Sequence, residues 1–297
     1  MVGETGSDDR AAGNKEVPMN AQRTWFITGS SRGFGRIWTE AALERGDRVV
    51  ATARHPEVLE PLVERFGDRI YPLALDVTDR EAVQRVVQEA RDHFGSLDIV
   101  VNNAGYGVLG MMEELNEDDV RAQFETNVFG ALWVTQAALP IMREQRRGHI
   151  VQIASIAGQT AVPQLGWYCA SKWAMEGFSQ SLALEVADFG IHVTMVEPTL
   201  YATDWEAPSA KLSPPVSAYD PVRERYELHK SFVPRDPVTT SEALFAIVDA
   251  PEPPLRCLMG AGMCEMLSAQ LEDRIAGWRQ WDAVAKLADG IREPALA

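Results

Sequence analysis

The chain has 297 residues, 46% of them hydrophobic, and a formal net charge of −15, so its length and apolar content suffice for one α/β domain with a complete core. The acidic balance opposes non-specific binding to nucleic acid or an anionic membrane, and no run reads as a signal peptide or membrane insertion. Cys169, Cys257 and Cys264 are an odd number without histidines at ligand spacing, which fits a reducing cytoplasm and no metal centre.

Residues 1–22 are polar and glycine-bearing and read as a flexible tail, with the folded domain spanning 23–297. Thr24 to Thr28 is a short apolar strand. It runs into Gly29-Ser30-Ser31-Arg32-Gly33-Phe34-Gly35 and then a helical pattern through Ala41, Ala42 and Leu43. Glycines in such a turn admit positive φ and let the backbone approach a pyrophosphate, whose charge the helix N-terminus favours. The spacing departs from G-x-G-x-x-G, and tight turns need glycine anyway, so context has to carry the reading. Arg48 to Thr52 is a second buried strand and Ile70 to Leu75 a third, each preceded by a helical segment. This alternation predicts an α/β fold, a three-layer doubly wound parallel sheet in a single domain.

The second strand ends in Ala53-Arg54, with no carboxylate to accept from a ribose 2′-hydroxyl. Arg54 offers a planar fork of donors to a 2′-phosphate and Arg32 a second positive charge, which favours NADP(H) over NAD(H). Alternatively both arginines are solvated surface residues. Asp76-Val77 follows the third strand, and Asp76 is either a ligand-binding residue or the cap of a helix beginning near Asp79.

Helical residues run from about Asn116 to Leu139-Pro140 with Asn127 in their middle. A buried asparagine is costly unless its amide finds partners, so Asn127 is a structural bridge or part of a site. Gly148 to Ile153 reads as the fifth strand, and Ser155 lies in the loop at its carboxyl end, where open α/β sheets place ligands. Tyr168 and Lys172 share one helix face at i,i+4. An ammonium held there would pull the phenol below its ordinary pKa of about 10 and make Tyr168 a proton donor at neutral pH. With five lysines against 23 arginines in the chain, a lysine at this place carries weight.

In order and separation, Thr28-Gly29-x-x-x-Gly33-x-Gly35, Asp76-Val77, Asn102-Asn103-Ala104-Gly105, Ser155 and Tyr168-x-x-x-Lys172 resemble the short-chain dehydrogenases/reductases of compact single-domain type, over roughly residues 23 to 205. Phe34 and Val196-Glu197-Pro198 are most similar to the branch related to 17β-hydroxysteroid and retinol dehydrogenases. The resemblance implies a Rossmann fold and a catalytic set of Asn127, Ser155, Tyr168 and Lys172, with Asn127 holding a water that links Lys172 to solvent. It implies a cofactor site of Gly29, Ser31, Arg32, Gly33, Phe34, Gly35, Arg54, Asp76, Val77, Asn103, Ala104 and Gly105. Tyr168, Lys172, Pro198 and Thr203 complete that site, with Asp76 at the adenine, Lys172 at the nicotinamide ribose and Thr203 at the carboxamide. It further implies a homodimer or homotetramer packed through the helices of Asn127 and Tyr168. Thr199 stands where the family commonly has glycine after Pro198; losing easy positive φ predicts an altered path for that turn.

Trp167, Tyr201 and Trp205, with Trp173, flank this site and suggest a pocket for a large hydrophobic carbonyl or alcohol substrate, although tryptophans here could equally fill the core or a subunit contact. Six prolines between residues 207 and 237 predict an irregular segment. We read about 200–240 as a substrate lid with one short helix from Val222 to Lys230. Ser241 to Asp249 reads as a helix, Leu255 to Met259 as a strand and Met263 to Ala288 as a helix carrying Trp278 and Trp281 on one face, in the core or an interface. The expected activity is NAD(P)-dependent oxidoreduction, as NADPH-driven reduction of a ketone or aldehyde or the reverse, on a hydrophobic, ring-bearing metabolite. The rival is a catalytically silent NADP(H)-sensing protein, which would have no need of the complete Asn127, Ser155, Tyr168, Lys172 set.

Overall fold

In the computed structural model, residues 22–203, 210–226 and 234–291 are described. Seven parallel strands form the central sheet: β1 Thr24–Thr28, β2 Arg48–Ala53, β3 Ile70–Ala74, β4 Ile99–Asn102, β5 Gly148–Ile153, β6 Ile191–Pro198 and β7 Arg256–Met259. Their order is β3-β2-β1-β4-β5-β6-β7. Strands covered on both faces need continuous apolar runs, and β1 supplies one, with Trp25, Phe26 and Ile27 all fully buried. Trp25 and Ile27 pack with Trp38, Leu62 and Leu244 on one face; Phe26 packs with Val86, Val134 and Leu182 on the other. Each such side chain contributes about 1.5–3 kcal/mol on burial.

The first of these faces is covered by α1 Gly33–Glu44, α2 Glu60–Phe66 and α8 Thr240–Val248, the second by α3 Arg80–Phe94, α5 Ala131–Gln145 and α6 Gly166–Val186. The three-layer doubly wound fold expected from the strand and helix alternation is the one observed. The chain reverses its winding between β1 and β4, and at such a switch point a crevice opens at the carboxyl ends of the strands.

Local chemistry sets the element ends. Asp79 caps α3 by accepting from the Ala82 N–H at 2.9 Å, and Gly95 closes the same helix at φ 78. Asp76 is therefore not the cap of α3; it holds a turn, accepting from the Thr78 N–H at 3.0 Å and the Thr78 hydroxyl at 2.8 Å. The helix expected to stop near Pro140 continues to Gln145. Pro140 and Gln136, four residues before it, are both exposed, so water can serve the carbonyl that a proline leaves without its helical donor.

Val108–Leu109 and Lys211–Leu212 form a separate short parallel pair, followed by α7 Asp220–Arg225. The helix expected over Val222 to Lys230 thus begins earlier, and its second half, like Trp205, falls outside the described residues. The C-terminal helix is broken at Trp281 into α9 Met263–Gln280 and α10 Asp282–Ala288. Trp278 and Trp281 are each 65% exposed, so neither is a core residue of this chain. Among the described residues no helix is long and apolar enough to cross a membrane.

Candidate active site

The glycine turn lies where β1 meets α1. Gly29 and Gly33 have φ of +71 and +54, which only glycine adopts without strain. A Cβ on Gly35 would sit 2.3 Å from the Gly29 carbonyl oxygen and 2.5 Å from Asn103 Nδ2. Gly35 is thus a packing residue beneath the turn, whereas Gly29, Ser31, Arg32, Gly33 and Phe34 line the cleft itself. Arg32 opens α1 with no side-chain cap and no acidic residue in the first turn, leaving free N–H groups that suit an anion.

Thr28 and Asn103 fasten this turn to the one after β4. The Thr28 hydroxyl accepts from the N–H groups of Asn103 and Ala104, both at 3.0 Å, while Asn103 Nδ2 donates to the Thr28 carbonyl at 2.8 Å and to that of Gly29 at 3.2 Å. Asn103, Ala104 and Gly105 then continue the cleft wall, with Asp76 and Val77 from the end of β3. Arg54, beyond β2, lines the same end. The Arg32 and Arg54 side chains are exposed, and neither guanidinium has a hydrogen bond or ion pair among the described residues. These residues fit a dinucleotide, since they form a glycine-floored turn at an uncapped helix start with two free guanidiniums.

Further along the cleft the strand loops bring together Ser155, Tyr168, Lys172 and Pro198, and Thr203 stands against the glycine turn, 3.7 Å from where a Gly33 Cβ would be. Ser155 Oγ accepts from the Ala157 N–H at 3.1 Å and donates to the Pro198 carbonyl at 3.4 Å. Tyr168 and Lys172 are both buried on α6. Burial pushes the Tyr168 phenol above its ordinary value, with the Ser155 hydroxyl pulling the other way. Burial also pulls Lys172 down to about 8, opposed by the charge of Glu176.

The expectation that Lys172 acidifies Tyr168 is therefore corrected. Burial sets the direction for the phenol, and the Lys172 Nζ donates instead to the Ile153 carbonyl at 2.6 Å, 5.7 Å from the centre of the tyrosine ring.

Asn127 sits in a π-helical stretch, Glu125–Gly130, between α4 Glu117–Phe124 and α5, a distortion common at functional sites. Its Oδ1 accepts from the Tyr106 N–H at 3.0 Å, and its Nδ2 donates to the Tyr106 carbonyl at 2.9 Å and to Ser171 Oγ at 3.2 Å. Ser171 in turn donates to the Tyr168 carbonyl at 2.7 Å. The amide is thus a bridge between the loop after β4 and the helix of Tyr168.

Thr199 replaces the expected glycine without strain. It is not among the positive-φ residues, its hydroxyl donates to the Met259 carbonyl at 3.2 Å and accepts from Arg235 Nη1 at 2.7 Å, and Gly260 makes room for it, since a Cβ there would lie 2.6 Å from Thr199 Cγ2.

Of the aromatic residues expected at the substrate, Tyr201 lines the cleft and meets Phe34 edge-on at 5.4 Å. Trp167 does not line it. Its Nε1 donates to the Val120 carbonyl at 2.8 Å and its ring leans on Phe124 at 4.8 Å, which pins α6 to α4. The cleft, about 1210 Å³, is completed by residues that the motifs did not single out: Tyr106, the loop from Thr160 to Pro163 with Leu165, and Met263, Met266 and Gln270 from α9. The i, i+3, i+7 spacing of those last three was the available signal, because it puts them on one helix face. Gln164, between the loop and α6, has φ 70, a conformation that costs a non-glycine residue energy and clusters at functional sites.

The family model for short chain dehydrogenases matches residues 23–212. The chain is 41% identical over 264 residues to a protein named oxidoreductase BOA17 from Botryotinia fuckeliana, covering 87% of this chain and 96% of that one. A short-chain dehydrogenase structure from Streptomyces avermitilis superposes with a TM-score of 0.84 at 36% identity, covering 91% of this chain and 99% of that one. A short chain dehydrogenase from Burkholderia cenocepacia solved with NADP has a TM-score of 0.70 at 25% identity, covering 87% and 97%. Sequence, fold and the cleft at the switch point agree that this chain is an oxidoreductase belonging to the short-chain dehydrogenase/reductase family.

Proposed function

We propose that the chain reduces a hydrophobic ketone or aldehyde with NADPH as the hydride source. The carrying observation is the convergence of Ser155, Tyr168 and Lys172 at one end of a cleft whose other end presents Arg32 and Arg54. Bound NADPH would supply a hydride to the carbonyl carbon. Ser155 Oγ would donate a hydrogen bond to the carbonyl oxygen, and Tyr168 would pass its proton to that oxygen as it gains charge. A phenol that burial keeps protonated at neutral pH suits this direction, and general acid catalysis of this kind contributes roughly 10²–10⁴-fold. Lys172, still mostly charged at pH 7, stabilises the phenolate left behind until solvent returns the proton. Glycines 29 and 33 with the start of α1 would receive the pyrophosphate, Asp76 and Val77 the adenine end, and the two arginines a 2′-phosphate.

The substrate would meet Ile156, Val162, Leu165, Met263 and Met266, an aliphatic and adaptable wall. We read residues 200–240 as its lid. The described part is tied down on the loop after β4, where Glu114 accepts from the Val216 N–H at 2.7 Å and pairs with Arg223, and Tyr219 donates to Glu113 at 2.7 Å. A homodimer or homotetramer is part of the same reading, supported by exposed Phe129, Trp173 and Leu184 on and beside α5 and α6.

The test follows NADPH oxidation across a panel of hydrophobic ketones, quinones and aldehydes, with Tyr168→Phe as control. Turnover lost in the variant while NADPH binding persists is expected. Undiminished turnover in Tyr168→Phe would sink the assignment.

A further inference from the structure

Behind the Ser155 loop lie two carboxyl side chains that the reaction above does not use. Glu176 on α6 is 5% exposed and Glu197 on β6 is 2% exposed. They share one cation: Arg256, at the start of β7, donates from Nε to Glu176 Oε2 at 2.8 Å and stands 3.8 Å from Glu197 Oε1. Arg256 Nη2 is taken by Gln180 at 2.8 Å. Glu176 Oε1 is buried with no hydrogen-bond partner among the described residues, and the Glu197 carboxyl lies against the Glu176 carboxyl, close enough to hydrogen-bond to it. Two carboxylates cannot donate to each other, so the contact becomes a hydrogen bond only with a proton between them. Two buried carboxylates that share the Arg256 guanidinium favour that state.

The pair is wired to the site along two routes. Glu197 Oε1 accepts from Gln159 Nε2 at 2.8 Å, and Gln159 ends the turn that begins at Ser155. Glu197 also precedes Pro198, whose carbonyl accepts from Ser155 Oγ. Glu176 is one helical turn beyond Lys172, and Gly158 lets the Ser155 turn close onto it, since a Cβ there would come 2.9 Å from Glu176 Cγ.

We propose that Glu176 and Glu197 hold a single proton between them and act as a positioning pair for Ser155, through Gln159 and Pro198, in the carbonyl reduction read above. The titratable or charged groups facing the pair are Lys172 on α6 and Arg256 and Cys257 on β7. Burial, and then the charge of Glu176, pushes the Glu197 carboxyl up to about 7, so the proton is held below neutrality and lost as pH rises through it. Cys257 stays a neutral thiol there, raised by burial and by Glu197. Loss of the proton sets two carboxylates against each other and loosens the Gln159 and Pro198 supports. It also adds a negative charge near Lys172, which holds the lysine proton more firmly.

The first measurement is an infrared pH titration of the ligand-free protein and of Glu197→Gln and Glu176→Gln. A protonated-carboxyl C=O band that vanishes through neutrality in the wild type and is absent from both variants is expected; no such band, or one that persists in both variants, overturns the shared proton. The second is the pH profile of kcat for NADPH-dependent reduction, with each variant's fold checked by circular dichroism. The wild-type kcat should fall severalfold across that range. Glu197→Gln, whose amide can donate to Glu176 and still accept from Gln159, should keep its acid-side kcat with little change in the KM for NADPH. A wild-type profile unchanged in Glu197→Gln overturns the positioning role. The infrared result needs no substrate, so its failure is separable from failure of the carbonyl-reduction reading.

Discussion

The Lys172 ammonium donates to the Ile153 carbonyl at 2.6 Å and stands 5.7 Å from the centre of the Tyr168 ring. Its charge is held in the protein interior by one backbone acceptor and the field of Glu176. The folded pKa of about 8 lies below the ordinary 10.5, so below pH 8 the charge costs the fold a constant amount. Between about 8 and 10.5 the folded state has released the proton and the unfolded chain has not, and this group's contribution to stability rises with pH. The full shift corresponds to about 3 kcal/mol, against roughly 1–3 kcal/mol for leaving the Ile153 carbonyl without its donor. Lys172→Met should therefore abolish turnover yet keep a Tm at neutral pH no lower than the wild type. A variant clearly less stable than the wild type would show that the lysine supports the fold.

Gly35 tests the cradle without touching the cleft surface. Its missing Cβ is occupied by backbone, the Gly29 carbonyl, which cannot swing aside as a flexible side chain could. Gly35→Ala should lower the Tm, with overpacking of this kind costing about 1–3 kcal/mol, and weaken NADPH binding because the Gly29 turn must move. Gly177→Ala is the control. Nothing lies within 4 Å of a Cβ there, and an exposed helix interior gains about 0.5–1 kcal/mol from alanine. Equal NADPH affinity in Gly35→Ala and the wild type would remove the turn from the cofactor site.

Arg54 and Arg32 should divide NADPH from NADH. Both guanidiniums are exposed, so solvent screens them and each is expected to be worth about one factor of ten rather than the full strength of a buried pair. Arg54→Ala and Arg32→Ala should each raise the KM for NADPH roughly tenfold while leaving that for NADH within about twofold. Parallel losses with both cofactors would mean that the arginines support the turn and do not read the phosphate.

The gathering of the glycine turn, Asp76-Val77, Asn103 to Gly105, and Tyr168 with Lys172 along one cleft was legible from the chain alone, because each follows a strand end or shares a helix face. The electrostatics of that last pair were not legible, because they depend on burial, and spacing says nothing of where Nζ points. Trp167 was misplaced for a similar reason. Being next to Tyr168 in sequence turns it about 100° around the helix, toward α4. Thr199 read as a loss of freedom, whereas its hydroxyl found Arg235 and Met259, partners distant in sequence. Met263, Met266 and Gln270 carried a helical period but no hint that it faced the cleft.

His149 gives the fold an acid limit. It is buried in β5, and its Nε2 lies 2.9 Å from Thr194 Oγ1. The Thr194 hydroxyl spends its proton on the Pro254 carbonyl at 2.7 Å, so the histidine must be the donor, neutral with hydrogen on Nε2. Burial, and then His192 and Arg23, brings its pKa down to about 3. Above pH 6.5 neither the folded nor the unfolded state is protonated and the group contributes nothing to pH dependence. As pH falls below 6.5 the unfolded chain takes up a proton that the folded chain refuses until about 3, so stability falls by up to about 1.4 kcal/mol per pH unit. By pH 5 the loss from this group is about 2 kcal/mol, and His192, also lowered by desolvation, acts in the same direction. His149→Gln can still donate to Thr194 but has nothing to titrate. Urea midpoints measured at pH 7 and pH 5 should drop markedly in the wild type and much less in the variant; equal drops in the two proteins would place the acid sensitivity elsewhere.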